Sequence, residues 1–194
     1  MHFGVVTAFV EAAVDVLAQE LGEPPQAGEM RTQRSTHATE EVTVLVGVTG
    51  HVRGMVLYGM SERTALALAS RMLGERRTAL DEIVQSGVAE LGNVITGIAG
   101  QVLETRGITI VISPPALLVG NGVTFSTVDI RRVTVPLVTQ AGNLAMHLAL
   151  EAASPQGGPH RSVAAETSAL SPAGYSATAA AESTPAGAGA DAPR

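Results

Sequence analysis

The chain has 194 residues, a formal net charge of −6 and no cysteine, and all 12 of its basic side chains are arginine. The absence of cysteine excludes a disulfide framework and a thiolate metal site. The acidic balance argues against a nucleic-acid footprint, which needs a clustered basic surface, and the absence of lysine excludes Schiff-base chemistry by this chain. Hydrophobic residues make up 45% of the sequence and aromatic residues 3%, so aliphatic side chains must fill the core.

The first residues predict a helix rather than a signal for export. Residues 3–21 have apolar side chains at helical spacing, and the helix is predicted to end at Gly22. Glu11 and Asp15 interrupt the apolar run, which is not typical of a secretory signal. No uncharged stretch reaches the roughly 18 apolar residues that span a bilayer. We therefore expect a cytoplasmic protein without a membrane segment, and we interpret the polar segment 26–40 as a loop or a short irregular strand.

A hairpin and a second helix follow. The β-branched run 42–48 and the apolar run 54–58 are separated by turn residues, which predicts two paired strands. Ser61 is a good N-cap for a helix over residues 62–73, and Gly74 is placed to close that helix.

Residues 81–107 predict one long helix with two distinct faces. The acidic residues Asp81 and Glu82 stand at its start, where negative charge offsets the helix dipole, so we interpret them as caps. Six aliphatic side chains fall on one side and are predicted to be buried: Val84, Val88, Leu91, Ile95, Ile98 and Val102. The opposite side carries four polar or small residues: Ser86, Glu90, Asn93 and Gly97.

Four glycines interrupt this helix, at positions 87, 92, 97 and 100. Each costs roughly 0.5–1 kcal/mol relative to alanine in a helix interior. We therefore expect other surfaces to approach the helix backbone closely: a sheet on the core side, and a partner protein on the side of Glu90 and Asn93.

The last part of the ordered sequence predicts strands. Five segments qualify: 108–112, 117–119, 123–129, 133–139 and 144–150. The last could be helix or strand by pattern, and its alternation favours a strand. Asn121-Gly122 is the strongest hairpin signal in the chain, and Pro136 predicts an edge or a bulge.

A sharp change of composition divides the chain into residues 1–152 and residues 153–194. The second segment is rich in Ala, Pro, Ser and Gly, which predicts a disordered tail. The order of elements in the first segment predicts an α+β domain, a mainly antiparallel sheet with long helices packed on one face.

Other chemistries find little support in the residue pattern. The five histidines are scattered without acidic or histidine neighbours at ligand spacing, so no metal site is predicted. His147 is interpreted as a structural or surface residue. Arg131 and Arg132 are interpreted as a solvated turn, with a docking surface as the alternative.

The polar helix face carries a specific pattern, Ser86-x3-Glu90-Leu91-x-Asn93-Val94-Ile95-x-Gly97, followed by Pro115 and Gly120. This pattern resembles the signature of the CheX/CheC/FliY chemotaxis phosphatases, and the resemblance extends over residues 1–152. By periodicity alone, the same face would be interpreted as an ordinary solvated helix surface. The chain contains a single Glu-x-x-Asn motif, which favours the CheX side of the family over its two-motif members.

The resemblance implies a CheC/CheX-like fold and a function. The substrate would be the aspartyl phosphate of a CheY-like response-regulator receiver domain, in chemotaxis or related two-component signalling. Asn93 would orient the attacking water, and Glu90 would pair with a lysine of the receiver. Ser86 and Gly97 would lie at the partner surface, and Pro115 would shape the loop beside the helix. Mg²⁺ would come with the receiver, and this chain would bind no cofactor of its own.

Two alternatives remain open at this level. A diverged relative of flagellar switch proteins would bind a receiver without dephosphorylating it, as a non-catalytic adaptor. A purely structural homo-oligomer would use the Glu90 face as an interface. Independently of these alternatives, the resemblance and an exposed strand edge predict a homodimer.

Overall fold

The computed structural model of the protein describes residues 3–33, 36–120, 122–126 and 130–153. The elements in these ranges are, in chain order, α1 (Phe3–Leu21), β1 (Gln26–Ala27), β2 (Arg31–Gln33), β3 (Thr36–Ala38), β4 (Val42–Gly50), β5 (Val52–Met60), α2 (Glu62–Leu73), α3 (Glu82–Thr105), β6 (Ile110–Ile112), β7 (Ala116–Val119), β8 (Thr124–Ser126), β9 (Arg132–Thr139) and β10 (Gly142–Ala152). Of the predicted tail, only Ala153 lies inside the described ranges.

The centre of the molecule is an antiparallel sheet in the order β1-β9-β10-β5-β4-β6. β2 also pairs with β9, β7 also pairs with β4, and β3 and β8 form a separate pair. The long strands β4, β5 and β10 carry alternating Val, Leu and Met side chains that point into the core. The helices pack on that face, with α3 against β4 and β5, α2 against β10, and α1 against α3. The predicted α+β architecture is confirmed.

The signals at the helix ends act as the sequence predicts. The Ser61 hydroxyl accepts a hydrogen bond from the Thr64 backbone N–H at 3.1 Å and caps α2. Gly74 closes the same helix with φ at +68°, a conformation that favours glycine. None of the helices in the described ranges is long and apolar enough to cross a membrane.

The predicted hairpin at Asn121-Gly122 is wrong as a strand pairing. β7 pairs with β4 over Ala116–Val119, whereas β8 pairs with β3. The strand before the turn, β7, pairs with β4 at the edge of the sheet. The strand after the turn, β8, pairs with β3, which is far from it in sequence. Asn121 itself, like residues 127–129 of the predicted strand, lies outside the described residues.

The segment 26–40, interpreted from sequence as a loop or one irregular strand, contains three short strands. Two of them cover the outer edge of β9, where the backbone groups of a strand need partners. β2 pairs with residues 132–134 and β1 with residues 137–138. The change from one to the other falls at Pro136, whose missing N–H could not serve a continuous neighbour.

The sheet face opposite the helices carries a buried polar cluster, which corrects the interpretation of Arg132 as part of a solvated turn. Arg132 is only 2% exposed and begins β9. His147 is buried as well, and its Nδ1 lies 3.0 Å from the Thr134 hydroxyl. Its Nε2 lies 3.1 Å from a Glu40 carboxylate oxygen. His147 is therefore structural, with both ring nitrogens engaged as buried polar groups require.

Candidate functional site

The helix that carries the candidate residues has a firmly fixed start. The Asp81 carboxylate accepts a hydrogen bond from the Val84 backbone N–H at 3.0 Å, and it also pairs with Arg77. The pKa of Asp81 is lowered from its ordinary value, first by the backbone hydrogen bond from Val84 and further by Arg77. The predicted role of Asp81 as the cap of α3 is confirmed.

Replacing Asp81 with alanine is expected to lower the melting temperature at pH 7, because the first turn of α3 loses its cap. Since the folded-state pKa is depressed, the carboxylate stabilises the fold above its unfolded pKa of about 3.9 and loses this effect as the pH falls through the folded value. Melting curves recorded by circular dichroism from pH 7 to pH 2 should show that the difference in melting temperature between parent and variant becomes smaller in acid. Glu82→Ala is the control, since Glu82 lies in the same turn without the cap bond. A gap that stays constant would contradict this account.

The buried face of α3 is broader than the predicted stripe. Four of the six predicted residues are buried, but Ile98 and Val102 are only half-buried, and the core continues through Ala99 and Leu103 instead. The helix packs on α1 and α2 and also on the strands β4, β5 and β6. Contacts with both helices and the sheet bury a wider arc of α3 than a single row of side chains.

A buried hydrogen-bonded group that sequence reasoning missed lies directly beneath the site. The Tyr58 hydroxyl is 2.8 Å from the Thr96 hydroxyl, which donates in turn to the Gly92 carbonyl at 2.7 Å. Burial raises the pKa of Tyr58 well above its ordinary value, so the hydroxyl stays protonated. A Cβ at Gly92 would come within 2.8 Å of Val44 and 3.0 Å of Tyr58. The close approach expected on the core side is thus present at Gly92, and it holds this turn of α3 tightly on the sheet.

The opposite face of α3 brings four of the five predicted site residues together. Ser86 and Glu90 are exposed, and Asn93 and Gly97 are half-buried. The Asn93 side-chain amide donates to Glu90 Oε2 at 3.4 Å, a long and weak hydrogen bond. Among the described residues, no salt bridge engages Glu90. The carboxylate and the carboxamide thus stand side by side with most of their hydrogen-bonding capacity facing outward.

Pro115 lies in the short connection between the edge strands β6 and β7 and not on α3. The connection is anchored by Ser113, whose hydroxyl accepts from the Gly47 N–H at 2.9 Å. Three residues before Pro115, a side-chain atom of Ile112 lies 4.0 Å from a Cβ built at Gly97. The structure therefore places Pro115 in the strand connection that flanks α3, off the helix face that carries the other four residues.

Two cavities bear on the choice of site. A shallow one of about 190 Å³ lies between α3 and β6 and is lined in part by Gly97 and Gln101. A larger one of about 650 Å³ lies at the start of α2, next to Ser61 and Gly142, and touches none of the five predicted residues. Within the described ranges, no group of three His, Cys, Asp or Glu side chains is arranged to hold a metal ion.

Comparison with known proteins gives this geometry a family. The sequence-family model described as chemotaxis phosphatase CheX matches residues 42–138 of this chain. This span includes the polar face of α3 and Pro115. The chain belongs to the CheX family. The CheY-P phosphatase CheX of Thermotoga maritima is 30% identical over 122 residues, which cover 62% of this chain and 79% of that protein.

Solved CheX structures agree with this assignment. The chemotaxis protein CheX from Desulfovibrio desulfuricans superposes with a TM-score of 0.69 at 26% identity, covering 76% of this chain and 99% of that one. CheX from a CheX–CheY–BeF3–Mg²⁺ complex of Borrelia burgdorferi superposes with a TM-score of 0.66 at 26% identity, covering 75% of this chain and 97% of that one. The predicted resemblance to CheX-type proteins is confirmed in both sequence and fold.

Proposed function

We propose that this CheX-family protein is a cytoplasmic phosphatase that hydrolyses the aspartyl phosphate of a CheY-like response-regulator receiver domain. The observation that carries the proposal is the Glu90–Asn93 pair on the outward face of α3, in which the Asn93 amide lies 3.4 Å from the Glu90 carboxylate. The pair occurs in a chain 30% identical to a protein named as a CheY-P phosphatase.

Asn93 acts on the water. Hydrolysis of an acyl phosphate needs a water held in line with phosphorus and charge stabilisation around the phosphoryl oxygens, with little covalent help. A carboxamide can accept a hydrogen bond from that water through its oxygen and donate through its nitrogen without itself reacting. The water attacks phosphorus, the bond from phosphorus to the aspartyl oxygen breaks, and inorganic phosphate and the free carboxylate leave. The Mg²⁺ that neutralises the phosphoryl charge belongs to the receiver substrate.

Glu90 fixes the register of docking. It is exposed and lies one helical turn before Asn93, so a cation that reaches its carboxylate also determines how far the Asn93 amide enters the receiver's site. We assign the lysine of the receiver as that cation, since its charge-assisted hydrogen bond with the carboxylate is stronger than a neutral one. Ser86 and Gly97 contact the receiver on either side of the pair, and Pro115 holds the adjacent edge strand in place.

Steady-state phosphate release tests this assignment. Each receiver domain from the same genome is phosphorylated with acetyl phosphate, and the release of phosphate is followed with and without the protein. Glu90→Ala is expected to raise the receiver concentration needed for half-maximal rate by at least 10-fold. The control is Glu20→Ala, an exposed glutamate near the end of α1 and therefore outside α3. Equal losses in the two variants would argue for a general effect of charge and against a docking contact.

We propose that the protein acts as a homodimer. The short strands β6 and β7 form one edge of the sheet, and Val111 and Val119 on this edge are 65% and 53% exposed. Pairing two edges across a two-fold axis would satisfy their backbone groups and cover these side chains. Light scattering at micromolar concentration is expected to return twice the monomer mass, and the monomer mass would reject this prediction.

We further propose that residues 153–194 are a tail dispensable for folding, because their composition offers too little apolar surface to offset the entropy of ordering. A chain truncated after Ser154 is expected to keep the melting temperature of the full chain. A fall of more than a few degrees in a calorimetric melt would show that the tail packs on the domain.

A further inference from the structure

We propose that Ile83 and Val94, two exposed aliphatic side chains that we name the apolar rim, form the part of the receiver-docking surface that sets affinity. The inference rests on the proposed function. In that function, Glu90 and Asn93 determine the docking register and the chemistry, whereas the apolar rim contributes the binding free energy. The kind of partner is a receiver domain that presents an apolar patch beside its phosphorylation site.

The apolar rim lies on the same face of α3 as the candidate pair. Ile83 is 54% exposed and Val94 is 38% exposed. At 100° per residue, Ile83 falls within about 20° of Glu90 around the helix axis and Val94 within about 40°. Val94 stands one turn, or about 6 Å, beyond Glu90 along the helix, and Ile83 about 10 Å before it.

Gly87, which lies between Ile83 and Glu90, provides a second observation on the same surface. A Cβ built at Gly92 or Gly100 would meet the core at 2.8 Å or 3.3 Å, so packing within the protein explains these two glycines. A Cβ at Gly87 would meet no atom within 4 Å in the part of the chain that the structure describes. Packing among these residues therefore does not explain the glycine, whereas a partner that closely approaches the helix backbone at this position would.

The charge on this face selects the partner. The exposed side chains of α3 around the apolar rim are neutral or acidic, with Ser86, Glu90, Gln101 and Glu104 among them. A second copy of the chain meeting this face across a two-fold axis would bring Glu90 towards Glu90 without a basic side chain of α3 between them. A partner with a cation opposite Glu90 complements the surface, and the lysine assigned above provides it.

Position on the helix also favours contact between such a partner and Val94. Val94 lies one turn after Glu90 and one residue after Asn93, so a surface broad enough to reach both polar side chains also covers Val94. Apolar area that is buried equally before and during the reaction stabilises the complex and its transition state alike. Its removal should therefore raise KM and leave kcat unchanged.

The test uses the full chain and a receiver domain loaded with Mg²⁺ and BeF3⁻, with Kd measured by calorimetry. Ile83→Ser and Val94→Ser are each expected to weaken binding about 5- to 10-fold, as the loss of a partly buried aliphatic side chain implies. The double variant should lose roughly the product of the two factors, with kcat for phosphate release within 2-fold of the parent. Val138→Ser is the matched control, because Val138 is 48% exposed on β9 and distant in sequence from α3. This control should bind like the parent.

Three results would overturn the proposal. The first is a Kd within 2-fold of the parent for both single variants, and the second is an equal loss in Val138→Ser. The third is conversion of a dimer to a monomer by the double variant, which would assign this surface to a second copy. The proposed function fails separately, if the parent binds the loaded receiver but does not accelerate loss of phosphate from the phosphorylated one.

Discussion

Replacing Asn93 with alanine is expected to reduce loss of phosphate from the receiver to its spontaneous rate while the fold stays intact. The side chain holds the attacking water, and alanine removes both the oxygen and the N–H that do so. Asn93 is half-buried on the outward face of α3 and makes only a long 3.4 Å contact with Glu90. Because alanine is the better helix former, the variant should melt at the same temperature as the parent or slightly higher.

The matched control is Asn143→Ala, a change of the same type at an exposed position near the start of β10. It should keep the activity of the parent. The diagnostic pattern is a loss of kcat in Asn93→Ala with the Kd for the BeF3⁻-loaded receiver largely preserved. Full activity in Asn93→Ala would show that another group positions the water.

Replacing Leu91 with alanine is expected to do the reverse and destabilise the fold by roughly 2–5 kcal/mol, as other large-to-small core changes do. Leu91 is 3% exposed and stands between Glu90 and Gly92, so its side chain points into the core beside the site. Urea unfolding followed by circular dichroism gives the change in the free energy of unfolding.

Activity measured well below the melting temperature of Leu91→Ala should remain within a few-fold of the parent per folded molecule. Leu73→Ala is the control, since Leu73 is also on a helix but 42% exposed, and it should change the free energy of unfolding by less than about 1 kcal/mol. A loss of activity in Leu91→Ala as complete as in Asn93→Ala, at full folding, would mean that the two faces of α3 are not functionally separate.

The sequence predicts local structure well where a residue acts on backbone groups close to it in the chain. Ser61, Gly74 and Asp81 each interact with groups a few residues away. Their capping roles can therefore be predicted from the adjacent sequence. The division of α3 into a buried and an outward face follows from its period alone, which is why Glu90 and Asn93 could be placed together before the structure.

The features that could not be predicted from the sequence depend on contacts between residues that are distant along the chain. Asn121-Gly122 signals a turn, but which strands pair on either side is decided by the open edges of β4 and β3. Arg132 is indistinguishable from a solvated arginine until the sheet face that buries it is known. The hydrogen bond between Tyr58 and Thr96 joins residues 38 apart in sequence. The sequence around neither residue predicts this contact.

The candidate site also has features that the sequence predicts and features that it does not. Periodicity places Glu90 and Asn93 on one face, but their proposed roles come from the family to which the chain belongs. The exposure of Ile83 and Val94 was not foreseen, since aliphatic residues at the margin of a helix face can be covered or left open by tertiary packing. Only the fold shows that they are open.

The most direct measurement follows the phosphate on an isolated, phosphorylated receiver domain after a small amount of the protein is added, at one molecule to about twenty receivers. The proposed function predicts multiple turnovers, so that the receiver loses its phosphate many times faster than alone and the protein with Asn93→Ala leaves the spontaneous rate unchanged. A parent protein that binds the receiver tightly yet leaves its phosphate to decay at the spontaneous rate would contradict the assignment and establish a receiver-binding protein without catalysis.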